Sequence, residues 1–188
     1  MLKRMHELEK IDSTDRKNGT SRQKRLRQIP QETGKFLSIL ASNCPKGEFV
    51  EIGTSAGYST MWISLGFVER KGKIKTYELL KEKITLAQET FTLTDLWKKV
   101  DLIEGDALIN IKKLRKIAFC FLDCEKEMYE PCWDILCDKI VQHGILIADN
   151  AINHYETIKP MVEKVFEDNR FDSLIVPIGK GELLCRRK

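Results

Sequence analysis

Beyond residue 30 the chain alternates short, almost wholly apolar runs with stretches of helical periodicity, and this alternation limits the fold more than any other feature. Glu48–Ile52, 73–77, 100–103, Ile117–Leu122 and 144–148 read as strands. The unbroken apolarity of Ile117–Leu122 predicts burial on both of its faces. Between the runs lie amphipathic patterns. Leu37, Leu40, Ala41 and Cys44 recur at helical spacing in 31–44, which Pro45 ends. A helix runs from the glycine turn after Ile52 to about Arg70, and Leu80, Ile84, Ala87 and Phe91 share one face of the next. Further helices fall at 107–114, 129–140 and 158–166. The runs 171–178 and 182–185 flank Gly179-Lys180-Gly181 as a hairpin. Strands alternating with helices imply parallel pairing through right-handed crossovers, with the hairpin adding an antiparallel edge. The predicted fold class is therefore α/β, a doubly wound and mostly parallel sheet closed by a C-terminal antiparallel hairpin.

At 188 residues, with 42% hydrophobic and 32% charged residues, the chain suffices for one packed domain and excludes a disordered one. The longest apolar run is six residues, too short to span a bilayer, and the charged N-terminus carries no secretory pattern. Six Cys without a C-x-x-C pair read as reduced core thiols of a cytoplasmic protein. Charge is uneven. Residues 1–35 hold ten Lys/Arg against five Asp/Glu, including Arg22-Gln23-Lys24-Arg25-Leu26-Arg27. Residues 1–27 read as a basic arm ahead of a domain over 28–188. The arm is either a solvated helix face or an attraction for an anionic partner such as nucleic acid or a phosphorylated substrate.

In a doubly wound sheet, ligands bind beyond the carboxyl ends of the strands, and five acids stand at such ends: Glu51, Glu78, Asp106, Asp123 and Asp149. The first strand enters Glu51-Ile52-Gly53-Thr54-Ser55-Ala56-Gly57-Tyr58-Ser59. Gly53 permits a tight turn, and Gly57 lets a helix begin close to the strand. That helix's N-terminus suits a carboxylate or phosphate. Ser55 stands where a dinucleotide fingerprint has its middle glycine, which disfavours NAD and FAD. Glu78, 21 residues beyond Gly57, can accept both hydroxyls of a ribose. Gly105-Asp106-Ala107 is placed to contact an adenine, and Asp106 also suits the N-cap of the following helix.

E-x-G-x-x-x-G-Y-S, Glu78 and the G-D-A turn resemble the cofactor motifs of class I S-adenosylmethionine-dependent methyltransferases, a Rossmann-like fold. The resemblance implies that Glu51 and Ser59 face the methionine amino and carboxylate groups. It also implies that Glu78 holds the ribose and that Asp106 with Ala107 holds the adenine. Turn capping is the other reading of Glu51.

At the neighbouring strand ends, Asp123 and Asp149-Asn150 form a hard oxygen set suited to Mg2+, while His6, His143 and His154 are dispersed. Asp123-x-x-Lys126 with Asp149-Asn150 is similar to the cation-dependent O-methyltransferases, the catechol and caffeoyl-CoA group, over about residues 28–188. The resemblance implies Asp123, Asp149 and Asn150 as metal ligands, and Lys126 as the catalytic lysine beside the reacting hydroxyl. It also implies a homodimer. A lysine there takes the acceptor's proton where a nearby cation and desolvation favour its neutral amine; otherwise Lys126 is a surface lysine at a helix start. Two departures stand out. Cys124-Glu125 replaces the Ala-Asp of many members, and the segment after Asn150 is short where many relatives carry a longer covering loop. The expected activity is S-adenosylmethionine-dependent methyl transfer to a metal-chelated hydroxyl of a small catechol-like acceptor. The alternatives are a tRNA hydroxyl methyltransferase gripping RNA with the basic arm, and a cofactor-binding protein without turnover.

Overall fold

The structure, a computed structural model, describes residues 1–21, 24–68 and 71–188. Arg22, Gln23 and Arg70, which figure in the expected basic run and helix end, lie outside the described residues. Seven strands form one sheet in the order β3-β2-β1-β4-β5-β7-β6. They are β1 (Glu48–Ile52), β2 (Ile74–Glu78), β3 (Val100–Glu104), β4 (Ile117–Leu122), β5 (Ile140–Ala148), β6 (Phe171–Val176) and β7 (Glu182–Arg187). The pairs among β1 to β5 are parallel, and β7 pairs antiparallel with both β5 and β6. The predicted α/β sheet and its closing hairpin are what the chain forms.

β4 explains why the sheet carries helices on both faces. All six of its residues are buried, and from Phe119 to Leu122 they alternate between two cores. Cys120 and Leu122 join the core beneath α6 (Tyr129–Leu136) and α7 (Tyr155–Glu167), with Trp133, Leu136, Met161 and Val165. Phe119 and Phe121 join the core beneath α2 (Gln31–Asn43), α3 (Tyr58–Leu65) and α4 (Lys81–Leu93), with Leu37, Met61, Ala87 and Phe91. A strand of period two buried on both sides has to be apolar throughout, as this one is.

Helix ends differ from the sequence expectation where chain geometry overrides the apolar pattern. The helix expected at 107–114 is one short α5 (Ala107–Asn110) followed by a tighter 3-10 turn over Ile111–Lys113. The helix expected over 129–140 likewise ends at Leu136. β5 begins at Ile140, four residues before the expected start, because Ile140 already pairs with Ile117 of β4 ahead of a register irregularity.

The basic segment shows the largest difference. α1 (Leu2–Asp15) buries Met5 and Leu8 in the α2–α4 core, and the buried Arg4 donates to Thr90 Oγ1 at 3.1 Å and pairs with Glu89. After it, Leu26 and Ile29 are buried as well. Two or three apolar anchors per segment are enough to fold a charged stretch onto the domain, and net charge does not report them.

Candidate active site

The carboxyl ends of the five parallel strands are tied in a staircase. Gly53 N–H donates to Tyr77 O, Gly105 N–H to Glu78 O, Asp123 N–H to Ile52 O, and Asp149 N–H to Leu122 O, all between 2.8 and 3.1 Å. Each residue just past a strand is thereby fixed to the strand beside it. Acids separated widely in the chain come to one edge, and between them opens a cavity of about 900 Å3. Its wall includes Gly53, Ser59, Glu78, Asp106 and Ala107 at one end, and Asp123, Lys126, Asp149 and Asn150 at the other.

The loop after β1 is held by its glycines. Gly53 has φ +102°, and a Cβ there would lie 2.2 Å from the backbone oxygen of Asp123. Gly57 has φ +80° as the residue before α3, and its face is packed against the ring of Phe91. Gly53→Ala should therefore destabilise the protein by about 2–4 kcal/mol through combined backbone strain and overlap. A urea unfolding midpoint equal to wild type would show that the loop tolerates a side chain.

Glu78 is half-buried and held by backbone donors. Its Oε2 accepts from Ser55 N–H at 2.8 Å, and its Oε1 accepts from Leu79 and Leu80 N–H at 2.9 and 3.0 Å. Three backbone donors lock the carboxylate in one orientation on the cavity wall. Ser55 is itself at φ +48° and donates its hydroxyl to Leu26 O, which ties the loop to the segment after α1. Asp106 is the N-cap foreseen for it. Its Oδ1 caps α5 by accepting from Leu108 N–H at 2.8 Å, while the residue remains on the cavity wall.

Glu51 departs from expectation in not being on the wall, whereas Gly57, also off the wall, starts α3 close to the strand as foreseen. Glu51 is fully buried and accepts from Ser59 Oγ (2.6 Å), Thr60 Oγ1 (2.5 Å) and Thr76 Oγ1 (2.6 Å). Burial pushes its carboxyl up to about 7, and the three hydroxyls only partly offset that. Ser59 stands between Glu51 and the cavity, so Glu51 orients Ser59 instead of facing the space itself.

At the other end, Lys126 is 8% exposed. Its Nζ donates to Asp123 Oδ1 at 2.9 Å and to Tyr129 OH at 2.6 Å, and it lies 4.6 Å from the Tyr129 ring centroid. It is a buried site lysine, not a surface one. Tyr129 OH donates onward to Leu122 O. Burial and the Asp123 charge hold that phenol well above its usual range, so it remains a neutral relay. Asp149 is 1% exposed; its Oδ1 accepts from Asn150 N–H at 2.7 Å. Asn150, at φ +70°, gives its amide NH2 to Asn153 Oδ1. That bond leaves the Asn150 amide oxygen for the cavity. Desolvation first, and the Asp123 charge second, raise the Asp149 carboxyl above its usual range.

Sequence reasoning missed several residues of this site. Glu182 on β7 is fully buried beside Asp149, and burial with the Asp149 charge raises its carboxyl strongly. Lys83 is 5% exposed and donates to the carbonyls of Lys24 and Arg25, fastening the segment that lines the cavity with Arg25, Leu26 and Arg27. Both carried a signal: an acid inside an apolar strand run, and a lysine on the apolar face that Ile84 and Ala87 define. Among the described residues no three His, Cys, Asp or Glu side chains form a group able to hold a metal ion. All six cysteines are free, and among the described residues no helix is long and apolar enough to cross a membrane.

The fold agrees with the comparisons. The caffeoyl-CoA O-methyltransferase of Medicago sativa is 25% identical over 181 residues, covering 83% of this chain and 73% of that protein. The catechol O-methyltransferase of Niastella koreensis is 26% identical over 139 residues, covering 65% and 62%. An SAH-bound methyltransferase from Podospora anserina superposes with a TM-score of 0.82 at 21% identity, covering 98% of this chain and 87% of that one, which shows the shared fold. The sequence profile of the family described as O-methyltransferase matches residues 5–188. The chain belongs to the O-methyltransferase family.

Proposed function

We propose that this chain transfers a methyl group from S-adenosylmethionine to a hydroxyl of a small, catechol-like acceptor held at a divalent cation, with Mg2+ the expected ion. One observation carries the reading: a single cavity joins the ribose-type acid Glu78 and the cap Asp106 to Asp123, Lys126, Asp149 and Asn150. Its volume suits a nucleoside cofactor with a small acceptor beside it. Support comes also from the names of the two relatives and from the SAH bound in the Podospora structure.

The residues fit both groups. Glu78 would accept from the ribose hydroxyls, Asp106 and Ala107 would flank the base, and Ser59, backed by Glu51, would meet the methionine end. Asp123, Asp149 and Asn150 would hold the cation with hard oxygen donors, and the buried, desolvated Asp149 carboxylate favours positive charge there. A bound divalent cation lowers the cost of ionising an acceptor hydroxyl. Lys126 Nζ, fixed between Asp123 and Tyr129, is placed to take that hydroxyl's proton. The cavity walls would orient the acceptor oxygen for attack on the cofactor's methyl group.

Glu78→Ala should weaken S-adenosylmethionine binding by about 1–3 kcal/mol, since a buried hydroxyl pair loses its charged acceptor. Calorimetry reads this directly, and unchanged affinity removes Glu78 from the cofactor site. The reading as a whole is tested by methyl transfer from labelled S-adenosylmethionine to catechols, to phenolic acyl-CoA esters and to tRNA. A second reading, transfer to a tRNA hydroxyl, rests on Arg16, Arg25 and Lys180, three cations on the same wall. Transfer to tRNA alone would establish it in place of the first.

A further inference from the structure

The part of the cavity wall that includes Arg25, Leu26 and Arg27 comes from the chain between α1 and α2, and side chains hold it at three points. At the first, the Lys83 ammonium donates to Lys24 O at 3.0 Å and to Arg25 O at 2.5 Å. At the second, Ser55 Oγ donates to Leu26 O at 3.1 Å. At the third, Arg27 Nη2 pairs with Glu125 Oε1 at 2.6 Å. Arg27 itself takes φ +54°, a left-handed conformation that a residue with a side chain keeps only where its surroundings enforce it. The path of this segment is therefore set by its fastenings.

Lys83 is the costly one. It is 5% exposed on the first turn of α4, and both of its hydrogen-bond partners are main-chain carbonyls, neither of them a counter-charge. An apolar side chain, as at the neighbouring Ile84 and Ala87, would be buried there without that desolvation penalty. What the lysine adds is a grip on the segment, and the grip is connected to the cofactor end. Lys83 N–H bonds Leu80 O, and Leu80 N–H in turn donates to Glu78. Ser55, which holds Leu26 O through its hydroxyl, gives its own N–H to Glu78 as well.

We propose that Lys83 is a positioning residue for the cofactor: it clasps residues 24–27 at the Glu78 end of the cavity and slows the release of bound S-adenosylmethionine. The proposal rests on the cofactor-site reading above. Lys83 acts through the segment it holds. A wall ordered before the ligand arrives removes an entropic cost from binding, and bonds that must break before it leaves slow its departure.

The experiment loads full-length protein with labelled S-adenosylmethionine and follows its release into excess unlabelled cofactor, for wild type, Lys83→Met and Lys83→Arg. Thermal unfolding without cofactor is measured on the same three proteins. Lys83→Met keeps a long side chain and removes both bonds to the segment. It is expected to release cofactor about 10-fold faster or more, as the loss of two bonds from a charged donor implies. Its cofactor-free melting temperature should stay within about 2 °C of wild type, because losing a buried charge offsets the lost bonds. Lys83→Arg, which can still donate to carbonyls, should recover part of the slow release. Release from Lys83→Met at the wild-type rate overturns the proposal alone. So does faster release accompanied by a larger fall in the cofactor-free melting temperature, because a merely structural role produces both. Wild type that binds no S-adenosylmethionine overturns the cofactor site itself, and this proposal with it.

Discussion

Asp149→Ala is expected to reduce methyl transfer by about 10³-fold or more while leaving S-adenosylmethionine affinity within about 3-fold of wild type. Asp149 is one of the two carboxylates proposed to hold the cation, and it follows a different strand from Glu78. Without it a cation retains one acid and one amide oxygen, too little charge to compete with water. Loss of fold is not the expected cause. Asp149 N–H still bonds Leu122 O after the substitution, so the thermal midpoint should stay close to wild type. Excess EDTA should reproduce the defect in the unmodified protein and spare cofactor binding. Full turnover in EDTA with an authentic acceptor would refute the cation-dependent mechanism and leave methyl transfer without metal assistance.

Lys126→Ala should slow transfer by about 10²–10⁴-fold if the amine takes the acceptor's proton, with cation binding retained. The geometry makes the two functions separable. Lys126 bonds Asp123 through one oxygen, Oδ1, so its removal frees that acid for an ion and does not strip the site. Tyr129 cannot replace the lysine, because its phenol is held neutral by burial and donates to Leu122 O. Raising the pH should restore part of the rate, since the acceptor then ionises without help from the protein. A lysine that only positions substrate would show the loss without this rescue. Rates within about 3-fold of wild type at every pH would take Lys126 out of the mechanism.

The chain's own pattern determined the order of strands and helices, the closing hairpin and the set of acids at the strand ends. Those properties depend on neighbours in sequence and on one topological rule. Period-two and period-3.6 patterns are local, and parallel strands with right-handed crossovers bring every carboxyl end to one edge. Glu78, Asp106, Asp123, Lys126, Asp149 and Asn150 were legible for that reason, and the structure brings them to one cavity. Tertiary structure alone decided the rest. Glu51 lies behind Ser59 because hydroxyls from α3 and β2 converge on it, and no spacing rule encodes that convergence. The basic segment is folded onto the domain by Met5, Leu8, Leu26 and Ile29, too few residues to shift a composition dominated by charge. Glu182 meets Asp149 through the register of β7 on β5. An alternating pattern is unchanged by a slip of two residues, so only contacts between distant parts of the chain select which acid stands opposite which.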